Sequence, residues 1–195
     1  MHRFALPVLV VLLVPLSARA EYADTTSSLK AGSLSLAGEF QVDTFDPAAF
    51  GVNLHEAVGL ASGVDLVLRQ GIPISDQGFY FGGGVKWTLL SASPRASRPG
   101  IAAYFGGHGN TAGWGGADAA IVVDYPFNRV RPYLGLDANL DFGRPGDDLV
   151  FALGLYGGAR IALVTNVAWF VEGGLGILGR PRPHFISTGP RIYIW

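Results

Sequence analysis

The chain has 195 residues, 49% of them hydrophobic and only 15% charged, with a formal net charge of −1. That balance excludes a nucleic-acid partner, which needs a basic patch. The absence of cysteine excludes disulfides, thiolate metal sites and a lipid-bearing N-terminal Cys.

Met1-His2-Arg3 is a short basic start, Phe4 to Leu16 is an apolar run, and Ala18-Arg19-Ala20 is an A-x-A cleavage site. Residues 1–20 are therefore expected to be a signal peptide, too short and wrongly flanked for a spanning helix. Residues 21–195 are expected to form one domain. Taking Arg3 and Arg19 from the 14 basic residues leaves twelve against 15 acidic ones, so this domain is mildly acidic. Mean hydropathy is positive at +0.33, yet no mature stretch reaches the roughly 18 unbroken apolar residues of a membrane helix. The 28 glycines sit inside alternating segments and do not imply disorder. Apolar content carried by strands is the pattern of a transmembrane barrel.

Residues 21–32 are polar and read as a lead-in on the periplasmic side. Ser33 to Thr44 alternates as a strand, with Leu34, Leu36, Phe40 and Val42 on one face and Ser35, Glu39, Gln41 and Asp43 on the other. Residues 51–70 fit one long strand or two shorter ones turning at Ala61-Ser62-Gly63, with Asp65 and Arg69 opposite Val64, Leu66 and Leu68. Gln77 to Leu90 is a strand with Phe79, Phe81, Val85, Trp87 and Leu89 facing one way and Tyr80, Lys86 and Thr88 the other. A turn over 91–99 leads to a short strand from Ile101 to Gly107 and a loop over 107–111. Trp114 to Tyr125 puts Ile121, Val123 and Tyr125 outward and Asp118 and Asp124 inward. After Pro126-Phe127-Asn128, Arg129 to Phe142 puts Val130, Leu134, Leu136 and Leu140 outward. Its inward set is Arg131, Tyr133, Asp137, Asn139 and Asp141.

Residues 148–178 show the alternation most clearly. Leu149, Phe151, Leu153, Leu155, Ile161, Leu163, Val167, Trp169, Val171, Leu175 and Ile177 share one face; Tyr156, Arg160, Phe170 and Glu172 share the other with several glycines. A three-residue loop at Val164-Thr165-Asn166 pairs Gly158 with Glu172 and puts Arg160 on the diagonal, in reach of that carboxylate. Residues 179–183 are a loop, and His184 to Trp195 is the last strand. The expected fold is all-β, a closed antiparallel up-and-down transmembrane β-barrel of 8–10 strands. An even count is favoured, because the chain should start and end in the periplasm, and ten is favoured over eight.

With the last strand ending in the periplasm, the outward aromatics Trp87, Tyr125, Trp169, Tyr193 and Trp195 fall at the periplasmic end. Phe79, Phe142 and Phe151 fall at the opposite end. Two such girdles are what the two membrane interfaces select. The inward charges Glu39, Asp65, Arg69, Lys86, Asp118, Arg131, Asp137, Arg160 and Glu172 are expected to form a network in the lumen. They line either a pore or a plug, and the plug is favoured because so few strands leave room for little beyond side chains.

Arg191-Ile192-Tyr193-Ile194-Trp195 resembles the terminal signature of bacterial outer-membrane barrels. Val123-Asp124-Tyr125-Pro126-Phe127 and Arg131-Pro132-Tyr133-Leu134-Gly135 look like the periplasmic hairpin of small OmpA-like and OmpW-like barrels. The resemblance implies localisation in the cell outer membrane after export through the periplasm. It also implies that the outer-membrane assembly machinery reads Tyr193 and Trp195. The soluble peptidoglycan-binding domain of OmpA-type proteins is expected to be absent.

No catalytic, cofactor-binding or metal-binding residue is assigned. His184 and Ser187 stand three apart, so they leave a strand on opposite faces, unlike the His-x-Ser pair that a resemblance to lipid A deacylases would require. His55, His108 and His184 read as scattered loop or rim residues, without metal-ligand spacing. Arg144, Arg180 and Arg182 are candidates for lipopolysaccharide phosphates, and Asp147-Asp148 for a divalent cation. The expected function is a structural or surface-interaction role with a largely plugged lumen. A narrow channel for small solutes is the alternative, and a lipid-A-modifying enzyme is less favoured. The expected partners are outer-membrane lipid and lipopolysaccharide, and the barrel is expected to be a monomer.

Overall fold

A computed structural model describes residues 25–43, 49–73, 79–142, 149–179 and 184–195. Ten strands follow in chain order: β1 Leu34–Asp43, β2 Ala49–Ala61, β3 Val64–Pro73, β4 Tyr80–Leu90, β5 Gly100–Asn110, β6 Gly115–Asp124, β7 Val130–Phe142, β8 Leu149–Val164, β9 Val167–Leu178 and β10 Phe185–Ile194. Each pairs antiparallel with its chain neighbour, and β1 pairs with β10, so the sheet closes into a barrel. Closure leaves no edge, which is the condition for a sheet to sit in lipid. The strands run from 10 residues in β1 to 16 in β8, enough to span a hydrocarbon core at a tilt. The rim where β1 starts and β10 ends is the near rim, and the other is the far rim.

Residues 51–70 do split. Ala61 pairs with Val64 across Ser62-Gly63, and Gly63 adopts φ 81°, a left-handed turn position that favours glycine. In the β8–β9 hairpin, Gly158 does face Glu172, yet the turn holds only Thr165 and Asn166 and Val164 pairs with Val167. An irregularity between Ala162 and Val164 supplies the extra residue, so the register matches that of a three-residue loop. The expected strand from Ile101 to Gly107 is too short. β5 runs on through His108 to Asn110 because β4 and β6 continue to pair with it.

The distribution of side chains is inverted relative to a water-exposed domain. Phe40 is 61% exposed and Leu134 56%, while Arg69 is 0% and Glu39 1% exposed. Exposed apolar residues recur on every strand, including Phe50, Leu68, Phe81, Phe105, Ile121, Leu136, Phe151, Leu175 and Ile186. A continuous apolar surface of this extent marks a lipid-facing wall. Trp87, Tyr125 and Trp169 face outward near the near rim, and Phe142 and Phe151 outward at the far rim, with Phe79 just before β4. Tyr193 is different, because it turns into the near mouth. It shares its face of β10 with Arg191, and Arg191 pairs across with the buried, inward Ala168 and Ala37. Ile192 and Ile194 take the lipid side instead. Trp195 stands beside the mouth, its ring 5.9 Å from that of Tyr193.

Inside the barrel, glycines accommodate rings. A Cβ on Gly135 would lie 2.1 Å from the Tyr156 ring, and one on Gly174 would lie 1.9 Å from the Phe185 ring. Tyr133, Tyr156 and Phe185 pack together with Ala102 and Val122 across the lumen. Gly135→Ala therefore overfills a closed cross-section, and the expected loss is about 1–3 kcal/mol of unfolding free energy. Urea titration of the barrel folded in detergent, followed by tryptophan fluorescence, checks it.

Candidate functional site

The lumen carries the chain's unusual chemistry, because strand alternation sends every predicted network residue inward. Glu39, Asp65, Arg69, Lys86, Asp118, Asp137 and Glu172 are buried, and Arg131 and Arg160 are half-buried near the near rim. Lys86 Nζ stands 2.9 Å from Asp65, Arg69 3.3 Å from Asp118, and Arg131 Nε 2.9 Å from Asp124. Arg69 also donates to the Tyr104 hydroxyl at 2.5 Å and lies over that ring. Asn139 donates to Asp137 at 3.1 Å. Arg160 does not reach along the diagonal to Glu172 in an ion pair. It donates to the Tyr193 hydroxyl at 2.7 Å and lies over its ring.

Two histidines read from the sequence as loop or rim residues belong to this network. His55 on β2 contacts Glu39 on β1. His108 on β5 is bracketed by Asp118 at 2.7 Å on Nδ1 and Asp141 at 3.1 Å on Nε2. Tyr80 stacks on the His108 ring and Trp114 meets it edge-on. The signal for His108 was its parity with Gly106 and Tyr104, had the strand been extended. His184 is exposed and Ser187 buried, on β10's approach and inner face respectively. Among the described residues no group of three His, Cys, Asp or Glu side chains has metal-binding geometry.

The near mouth holds the largest departure from the expected lead-in. Thr25 and Thr26 are 0% exposed and Leu29 8% exposed, so this segment lies inside the barrel. Its own polar groups are taken up by the lumen charges. Asp124 accepts from the Thr26 amide and hydroxyl, both at 2.9 Å, and Asp65 accepts from the Leu29 amide at 2.9 Å. Lys86 donates to the Ser27 carbonyl at 2.7 Å, Thr88 donates to the Thr26 carbonyl at 2.7 Å, and Arg131 donates to the Ser27 hydroxyl. Leu29 packs with Ala57, Val67, Tyr104 and Ala120, against Tyr193. Two glycines make way for the segment: a Cβ on Gly59 would fall 2.1 Å from the Lys30 carbonyl oxygen, and one on Gly100 1.9 Å from Thr26 Oγ1. Thus Asp65 and Asp124 each bind a lumen cation and a backbone amide of the segment at once. Arg144, Arg180, Arg182 and Asp147-Asp148 lie outside the described residues.

Neither a family model nor a curated protein matches the chain. Solved structures do resemble it in fold. A de novo designed transmembrane β-barrel aligns at 12% identity and TM-score 0.43, covering 86% of this chain and 100% of the design. Neisserial surface protein A (NspA) aligns at 11% identity and TM-score 0.38, covering 83% and 95% of the two chains. The N-terminal β-barrel domain of Pseudomonas aeruginosa OprF aligns at 10% identity and TM-score 0.34, covering 85% and 100%.

Removing the Asp124 carboxylate strips the segment of two bonds and Arg131 of one ion pair. Bonds to charged groups are worth about 1.5–3 kcal/mol each. Asp124→Ala is therefore expected to speed tryptic cleavage after Lys30 in the folded barrel by at least about tenfold. Limited proteolysis followed by mass spectrometry checks it.

Proposed function

We propose that this protein is an outer-membrane β-barrel with a structural or surface-interaction role and a lumen closed to solutes. The observation that carries the reading is the doubly filled interior. Thr25 to Leu29 crosses the near mouth, hydrogen-bonded to Asp65, Lys86, Thr88, Asp124 and Arg131. Beyond it, Tyr104, Tyr133, Tyr156, Phe170 and Phe185 are buried in the lumen. Lys86, Arg69 and Arg131 are each held against a carboxylate inside, which suits a packed interior, because an unpaired buried charge costs several kcal/mol.

The insertion follows from the outer wall. The outward Trp87, Tyr125 and Trp169 gather toward the near rim, as membrane interfaces favour, with Phe142 and Phe151 at the far rim and Phe105 in the apolar band between. In this reading the near rim faces the periplasm, the far-rim loops face outward toward lipopolysaccharide, and the barrel is a monomer. Residues 1–20 direct export, and the assembly machinery reads the Tyr193 and Trp195 end.

Two readouts on the full-length protein test this. The folded protein is expected in the outer-membrane fraction with a boiled-versus-unboiled gel shift, and silent in planar bilayers. Steady single-channel conductance would replace the closed reading with a narrow channel for small solutes. A changed lipid A mass on expression would replace it with an enzyme.

A further inference from the structure

The segment at Thr25–Lys30 covers only part of the near mouth. It spans from Lys30 against Gly59 on β2 to Thr26 against Gly100 on β5. The rest of the mouth holds two adjoining cavities of about 340 and 390 Å³, which share Ser27, Ser28, Arg160 and Ala162. Lys30, Lys86, Arg160 and Arg191 line the first, and Arg129, Arg131 and Arg160 the second. Among the described residues, neither lining contains an Asp or a Glu. The carboxylates near them, Asp65 and Asp124, are engaged by Lys86 and Arg131 and by the amides of the segment.

From this arrangement we propose that the near mouth is an oxyanion-binding site for a compact, multivalent ligand of the phosphate class. Arg160 carries the argument. Its partner is the neutral Tyr193, reached through Nη1 and the ring face, and that leaves further guanidinium donors for a ligand shared between the two cavities. Lys30 lies over the Trp195 ring, so it too is held by an aromatic without neutralisation. Guanidinium groups bind phosphate oxygens in a bidentate fork, and the hydroxyls of Ser27, Ser28 and Thr165 stand in the same walls. A concave site with low-dielectric walls and an excess of cationic side chains concentrates anions. The volumes match those of small-ligand pockets, about 300–1,000 Å³. The site opens to water at the mouth, so the proposal holds whether or not the lumen beyond it conducts.

The probe is inorganic tripolyphosphate, titrated calorimetrically at low salt into the full chain folded in zwitterionic detergent. One saturable site is expected. Arg160→Gln and Lys30→Gln should each weaken it at least tenfold, and Arg160→Lys should lose less. Arg95→Gln, on an exposed turn of the same rim, should leave it unchanged. A gel shift on boiling verifies that each variant is folded, and Lys30, exposed at the mouth, serves if Arg160→Gln does not fold. A flat titration, or an equal loss in Arg95→Gln, overturns the proposal. Phosphate of this class has two sources, distinguished in nanodiscs. If phosphatidylglycerol, but not phosphatidylcholine, competes with the probe, the ligand is a lipid headgroup; if neither does, it is a free phosphorylated solute.

Discussion

In a hydrocarbon environment no water is available for backbone amides and carbonyls, so each must find a partner within the sheet. Closure of β1 on β10 meets that requirement and determines much of the rest. A closed sheet has two faces with opposite demands. The outer one is bound to be apolar, and the inner one is a narrow tube in which polar groups are buried together. The seam is not uniform. Pairing between β1 and β10 skips from Ala37↔Arg191 to Phe40↔Thr188, because Pro190 between them has no amide to donate. Gly189 lies so close to the Gly38 carbonyl that a Cβ would fall 1.8 Å from it. The seam thus keeps its shape by close backbone packing where a hydrogen bond is missing.

The inner face solves the burial of charge by sharing. Asp118 serves Arg69 and His108, Asp124 serves Arg131 and Thr26, and Asp65 serves Lys86 and Leu29. Breaking such a pair from one side typically costs about 3–5 kcal/mol, since the abandoned charge remains buried. The Thr25–Leu29 segment is therefore part of the electrostatic structure of the lumen as much as a cap on it. Without it, two carboxylates lose amide donors at the very rim where arginines and lysines dominate.

Much of this was legible from period-2 alternation alone. A residue's parity on a strand decides its face, so Glu39, Asp65, Arg69, Lys86, Asp118, Asp137 and Glu172 could be sent inward before any strand was paired. The Gly158↔Glu172 register was legible from the loop length, and a one-residue slip would have put Arg160 and Glu172 on opposite faces, one of them in lipid. Tyr193 was misread although the clue was at hand. Arg191 shares its parity, and a charge on the lipid face is far costlier than an inward tyrosine. Other features lay beyond local pattern. Residues 25–32 have no alternation, and their destination depends on Gly59 and Gly100, which are distant in sequence and leave the space. His108 sits in a glycine-rich run with weak strand propensity, and only pairing with β4 and β6 extends the strand to it.

A closed lumen in an inserted barrel requires that one face of each strand meet lipid while the other is sealed from water. Single spin labels placed along β7 at Leu134, Leu136, Asp137, Ala138 and Asn139 measure this directly in reconstituted bilayers. Labels at Leu134, Leu136 and Ala138 should collide with oxygen far more than with a water-soluble nickel chelate. Labels at Asp137 and Asn139 should be protected from both. High chelate collision on the inward positions would contradict the closed lumen, and equal chelate collision on both faces would contradict insertion itself.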